Sequence, residues 1–342
     1  MQPFEDAAPP VSDHGGNVAA ARQRFPDAAQ PWLDLSTGIS PFPYPYSAPP
    51  ATAFSRLPEP GEDMRLREIA ASTYEANGAG NLVAAPGTQM LLPFVFALRK
   101  PGRAAVLGPT YAEHARVARL CGHDCHETEN LDDLVGANLA VVVNPNNPDG
   151  RIVPRTDLLG LANRLAARGG MLVVDEAFMD VGPDATSLAD AVDGLPIVVL
   201  RSFGKFYGLA GLRLGFAIAG LRLAETLRAR LGPWSVSGPA LAVGAEALAD
   251  SEWRRHAVGR LAGAAAARRM LLEAVGLETV GGTSLFHLVR HADAAGLFDT
   301  LGRHGILVRA FEARPDLLRL GLSGNAADEA RLADALALWS GR

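Results

Sequence analysis

Three short apolar runs, each leading into a polar residue, constrain this chain more than any other feature. Ala140–Val143 runs into Asn144, Met171–Val174 into Asp175, and Ile197–Leu200 through Arg201 into Ser202. Runs this brief, rich in valine, suit strands covered on both faces better than buried helices. Helix-like stretches alternate with such runs. Glu113–Leu120 follows the strand-like Ala104–Leu107, and Leu158–Ala167 follows Ala140–Val143. That alternation predicts an α/β fold with a mainly parallel sheet flanked by helices. Ligands in such sheets sit at the carboxyl ends of the strands. Asn144, Asp175 and Ser202 stand at those ends.

Two further helices are expected upstream, over 65–76 and 88–98. The segment 34–60 is dense in proline and glycine and reads as irregular chain lying against other elements. Residues 1–12 hold three prolines and few large apolar groups, and read as a mobile arm. From about residue 235 the pattern changes. Helices Pro239–Ala249 and Glu252–Ala274 precede short strands near Ser284–Val289, Ile306–Val308 and Leu317–Leu320, and Ala326–Trp339 closes the chain as a helix. The expected division is an N-terminal arm (1–46) packing with a small α+β domain (235–342), and a large domain over 47–234.

A length of 342 residues fits one large or two interlocked domains. Lys plus Arg is 32 against 37 Asp plus Glu, and the net charge of −5 disfavours a nucleic-acid partner. No apolar run approaches the ~18 residues of a membrane span. The first residues carry acid and proline where a signal peptide needs a basic start, so a cytoplasmic protein is expected. Cys121 and Cys125 offer no disulfide framework. With His123 and His126 they lie close together, but no second ligand pair accompanies them and no metal is expected. No Gly-x-x-x-x-Gly-Lys-Ser/Thr occurs.

Chemistry concentrates in Asn144-Pro-Asn-Asn-Pro-Asp-Gly150, in Val174-Asp-Glu-Ala-Phe178, and in the glycine-rich string from Ser202 to Gly215. A lysine is ordinarily a solvated surface group. Lys205, however, sits in a glycine-flanked loop at a strand end. Partial burial there would lower its pKa and free the amine to attack an aldehyde. Asp175 ends an apolar strand, where a carboxylate is costly unless paired. A turn bond would satisfy it, and so would a protonated pyridine nitrogen, whose ring it would keep electron-poor. Asn144 and Asn146 fit ordinary turn chemistry, while Asn147 could donate to a phenolate oxygen. Gly87-Thr88 opens a helix, whose free N–H groups suit a phosphate; Ser202 and Arg213 could converge there.

Together these residues resemble the fold-type I pyridoxal-phosphate enzymes, over nearly the whole chain. Ser202 three residues before Lys205, and Arg213 eight after it, follow Asn-Asn-Pro and Asp-Glu-Ala-Phe in that family's order. The resemblance implies a seven-stranded sheet, pyridoxal 5'-phosphate as cofactor, and a homodimer. It makes Lys205 the cofactor-linked lysine, Asp175 the partner of the pyridine nitrogen, and Asn147 the neighbour of the ring hydroxyl. Gly87, Thr88, Ser202 and Arg213 would hold the phosphate. Tyr111, in Gly-Pro-Thr-Tyr, matches the aromatic that stacks on the ring, and Arg319 the arginine that binds a substrate α-carboxylate.

Within the family the chain is similar to the branch of histidinol-phosphate aminotransferases and threonine-phosphate decarboxylases. Arg309 matches that branch's reader of a substrate phosphate. His14-Gly-Gly-Asn17, with Asp34-Leu-Ser-Thr-Gly38, looks like the opening of the decarboxylases and implies that His14, Asn17 and Gly38 contact a small phosphorylated amino acid. Phe178 departs from the tyrosine usual in aminotransferases, and Leu57 from a tyrosine that reaches across the dimer. Both departures weaken the aminotransferase reading. The expected activity is decarboxylation of threonine O-phosphate for corrinoid synthesis. A histidinol-phosphate-type aminotransferase is the alternative, and a non-enzymatic cofactor-binding module a distant third.

Overall fold

The computed structural model describes residues 14–340, so the arm expected at 1–12 lies outside them. A seven-stranded sheet runs in the order Leu82–Ala85, Gly215–Ala219, Ile197–Ser202, Met171–Asp175, Leu139–Val143, Arg103–Leu107, Asp124–Thr128. The last five of these are parallel neighbours, and Gly215–Ala219 is antiparallel to both strands beside it. Strands such as Met171–Asp175 are buried end to end, which is why they read as unbroken apolar runs. One apolar layer covers each face.

Strand order reverses between Leu139–Val143 and Arg103–Leu107. A crevice is expected at such a reversal. The loops that leave these two strands carry Tyr111 and Asn147.

A smaller sheet holds Arg309–Ala310, Leu317–Gly321, Phe286–Arg290 and Glu278–Thr283, all antiparallel. Leu33–Asp34 pairs in parallel with Ile306–Leu307, and Leu35 enters the core beneath this sheet. Residues 33–35 thereby pack with the C-terminal elements, whereas Ser40 and Tyr44 bond the backbone of Lys205 and Tyr207 beside the large sheet. Helix Gly238–Ala249 packs on helix Pro60–Thr73, and Arg268 ties strand Leu317–Gly321 to the last helix.

Three local expectations change. The upstream helix begins at Pro60, because Glu59 and Glu62 form a reciprocal capping box and proline suits the first turn. Thr52–Ser55 is a short helix inside the segment read as irregular. Lys205 lies on a one-turn helix, Phe203–Phe206, rather than in a loop.

Candidate active site

Lys205 is half-buried at the carboxyl end of the sheet, with Nζ 5.2 Å from the centre of the Phe178 ring. Burial lowers its pKa to about 8, assisted by Arg319 and Arg213 and opposed by Asp175. Near physiological pH the amine is still mostly protonated, but its neutral share is far larger than that of a solvated lysine.

Asp175 ends its strand buried, and both carboxylate oxygens are engaged. Oδ1 accepts from the Ala177 N–H at 3.0 Å, and Oδ2 lies 2.9 Å from His114 Nε2. His114 is fully buried, and its Nδ1 has no partner among the described residues. Phe178 packs edge-on against Phe286, ring centres 5.1 Å apart. Gly38 is pressed onto this pair: a Cβ there would stand 2.9 Å from Phe178 Cε1 and 3.0 Å from Phe286 Cδ1.

Helix Thr88–Phe96 points its N-terminus at Arg213. Gly87 caps it at φ 84°, and a Cβ on Gly87 would lie 2.6 Å from Arg213 Nη2. Arg213 itself is left-handed at φ 55°, a conformation that costs a non-glycine residue about 1 kcal/mol or more. Ser202 pairs across the ladder with Gly215, and a Cβ on Gly215 would stand 2.7 Å from the Thr88 nitrogen. Gly87, Thr88, Ser202 and Arg213 therefore converge on one helix end.

Arg319 is buried in the smaller sheet. It donates through Nη1 to Asn147 Oδ1 and through Nη2 to the Ser36 carbonyl at 2.7 Å. Its Nε is buried without a partner among the described residues. Burial, with Arg309 nearby, lowers its pKa to about 10, which leaves it cationic at neutral pH. Arg309 stands directly opposite Arg319 in the strand pair. It lines a cavity of about 390 Å³ together with His14, Gly15, Asn17 and Ser36. The His14–Asn17 turn rests on Ser36: Gly16 N–H donates to Ser36 Oγ at 2.7 Å. Asn17 Oδ1 caps helix Val18–Arg24, and His14 Nε2 lies 3.4 Å from Glu113 Oε1.

Tyr111 donates to Gln89 Oε1 at 3.2 Å, and its ring centre is 5.7 Å from that of His114. Burial raises its pKa to about 12, so the hydroxyl keeps its proton. Asn144 closes the 144–153 loop by bonding both backbone groups of Val153, and Asn146 bonds Thr110, Pro109 and Asp149. Those bonds are turn chemistry.

Sequence reasoning overlooked His114, Ser36 and Phe286. His114 carried a usable signal: a histidine three positions after Tyr111, on the inward face of a helix beside a strand-end carboxylate. Ser36 and Phe286 acquire their places only through pairing with distant strands. His123, which could have suggested metal, contacts the Phe96 carbonyl instead at 3.2 Å. No helix among the described residues is long and apolar enough to cross a membrane.

The profile of the aminotransferase class I and II family matches residues 64–336. A threonine-phosphate decarboxylase from Sinorhizobium sp. is 43% identical over 329 residues, covering 95% of this chain and 97% of that protein. A histidinol-phosphate aminotransferase from Nitratidesulfovibrio vulgaris is 32% identical over 302 residues, covering 82% and 80%. Among solved structures, histidinol-phosphate aminotransferase from Sinorhizobium meliloti, in complex with pyridoxal-5'-phosphate, superposes with a TM-score of 0.83 at 20% identity, covering 100% and 99%. That last likeness concerns the fold.

Proposed function

This chain belongs to the aminotransferase class I and II family, and we propose that it decarboxylates L-threonine O-3-phosphate with pyridoxal 5'-phosphate. The products are carbon dioxide and (R)-1-amino-2-propanol O-2-phosphate, a building block for cobalamin. The identity to a threonine-phosphate decarboxylase exceeds that to a histidinol-phosphate aminotransferase, and spans more of both chains.

The residues present fit the cofactor. The cradle at Gly87 is one that a Cβ would fill, and Arg213 closes it. Gly87, Thr88, Ser202 and Arg213 would hold the cofactor phosphate, Asp175 the pyridine nitrogen and Asn147 the ring oxygen, with Tyr111 on the ring face. Lys205 would link to the aldehyde carbon. When bound, the cofactor supplies an electron-poor ring that takes up the electron pair left at the substrate α-carbon when carbon dioxide departs.

The chain's own groups do the rest. His114 orients the Asp175 carboxylate at the sheet end. Phe178, lacking a hydroxyl, would offer the cofactor's ring oxygen no donor where a tyrosine would offer one. Lys205 Nζ holds the proton that returns to the α-carbon. Arg319 binds the substrate carboxylate, and Arg309 with His14 and Asn17 reads the substrate phosphate. Gly38 keeps the wall beside the substrate close and dry.

The observation that carries this reading is the arginine pair. Residues directly opposite in an antiparallel pair lie ~5 Å apart and share a face. Arg309 and Arg319 are such partners. Two arginines carried on neighbouring positions of one sheet suit a small molecule bearing both a carboxylate and a phosphate.

We also place the division of the chain at 47–234 for the cofactor-binding part, with 235–342 and 1–46 as the smaller part. The protein works in the cytoplasm as a homodimer. Support for the dimer comes from apolar groups left in solvent: Phe54, Leu57 and Trp234 are 70%, 65% and 59% exposed.

The test incubates purified protein with cofactor and L-threonine O-phosphate, without a keto acid, and follows carbon dioxide and the amine. Release that disappears in Lys205→Ala is expected. No release, with amino transfer from histidinol phosphate to 2-oxoglutarate, would make the protein an aminotransferase.

A further inference from the structure

Glu113 is a carboxylate at 2% exposure in a region that must receive anions. Such a group needs strong partners. Arg116 donates to it twice, through Nε and Nη2, at 2.7 Å each. Gln89 Nε2 donates at 2.6 Å, and His14 Nε2 lies at 3.4 Å. Arg116 holds the Glu113 carboxyl below its usual range, against the opposing effect of burial. At neutral pH the group is therefore an ionised, acceptor-only carboxylate.

That restriction propagates. An acceptor-only carboxylate dictates which end of the Gln89 amide faces it. The NH₂ must point to Glu113, so the Gln89 oxygen must point away, toward Tyr111. Tyr111 OH then donates to that oxygen, at 3.2 Å. One charge thus sets the direction of two hydrogen bonds and the seat of the Tyr111 ring. On its other side Glu113 meets His14, whose ring centre is 5.5 Å from that of Tyr111. The same turn reaches Ser36 through Gly16, and the Ser36 carbonyl holds Arg319.

We propose that Glu113 is a positioning residue that seats the Tyr111 ring through Gln89 and docks the His14–Asn17 turn, so that one buried carboxylate joins the two walls of the site. The proposal rests on the reading of Tyr111 as the ring-stacking residue and of the turn as a substrate contact.

The test compares Glu113→Gln and Glu113→Ala, with thermal melting as a check on folding. Cofactor affinity is measured on the apoprotein by tryptophan fluorescence. The visible circular dichroism of the bound cofactor reports how firmly its ring is held, and KM and kcat follow. In Glu113→Gln an amide oxygen still accepts from Gln89. Affinity and dichroism should stay within about twofold, while KM rises about two- to fivefold as the charge facing His14 is lost, a change of one partly exposed ion-pair contact. In Glu113→Ala, Gln89 is released; the dichroism should drop by about half and cofactor affinity by about tenfold. In a Tyr111→Phe background, Glu113→Ala should have no further effect on the dichroism, because both act through one contact. Unchanged dichroism and affinity in a well-folded Glu113→Ala protein would overturn the proposal. So would additive effects with Tyr111→Phe, or a KM in Glu113→Gln equal to the parent's. A parent protein that binds cofactor but releases no carbon dioxide would sink the decarboxylase reading alone, because the dichroism cycle needs no turnover.

Discussion

Lys205 shows how placement alone perturbs an ordinary side chain. Its pKa of about 8 comes first from burial. The unfolded chain keeps the proton up to about 10.5. Between those values the unfolded state binds more protons, so apoprotein stability rises with pH across that window. Below it, the folded state carries a disfavoured ammonium. Lys205→Met apoprotein should therefore melt higher than the parent at pH 7, by about 1–2 kcal/mol after allowing for partial exposure, with the gap narrowing as pH climbs past 8. Calorimetry at several pH values checks this. Capture of cofactor by the parent should show a half-rise near pH 8 in stopped-flow absorbance. A half-rise near 10.5 would mean that the amine is not perturbed. Gly87 is the other residue-scale case, because positive φ and the nearby guanidinium both demand that it lack a side chain. Gly87→Ala should weaken cofactor binding by about tenfold or more in a fluorescence titration, by displacing a charge-assisted donor.

At the scale of elements, strand Leu317–Gly321 matters most, since it carries Arg319. Arg268 secures its end: fully buried, it bonds the Gly321 carbonyl at 2.6 Å, Ser323 Oγ at 2.8 Å and both oxygens of Glu329. Arg268→Met removes the donor from the Gly321 carbonyl and the charge partner of Glu329, leaving Glu329 only Ser323, and should cost about 2–4 kcal/mol in urea unfolding. It should also raise KM, through Arg319, more than it lowers kcat. Central strands were legible because burial on both faces writes itself as an apolar run. Glu278–Thr283 was missed because Gly281-Gly282 reads as a turn; there the glycines let Asp149 approach the strand. The start of helix Pro60–Thr73 was hidden by its prolines, although Glu59-x-x-Glu62 is a capping signal.

At the scale of the molecule, the exposed apolar groups Phe54, Leu57 and Trp234 are the ones the proposed homodimer would cover. A groove of about 280 Å³ shared by Pro58, Met64 and Trp234 lies beside Leu57. Sedimentation velocity should find a dimer, and Trp234→Glu should shift it toward monomer at micromolar concentration, since burying an unpaired charge is costly. A parent protein that sediments as a monomer would remove the dimer from the proposal. The sequence by itself determined the α/β sheet and the polar groups at its strand ends. Strand, turn and helix signals are local, and a carboxylate or lysine at a strand end has few reasons to be there. Tertiary structure decided which groups meet. His114 reaches Asp175 across 61 positions and Arg319 reaches Asn147 across 172. Glu113 gains Gln89 and His14 only when three separate segments pack together. Such contacts depend on how distant segments cross in space, and local pattern carries no record of that.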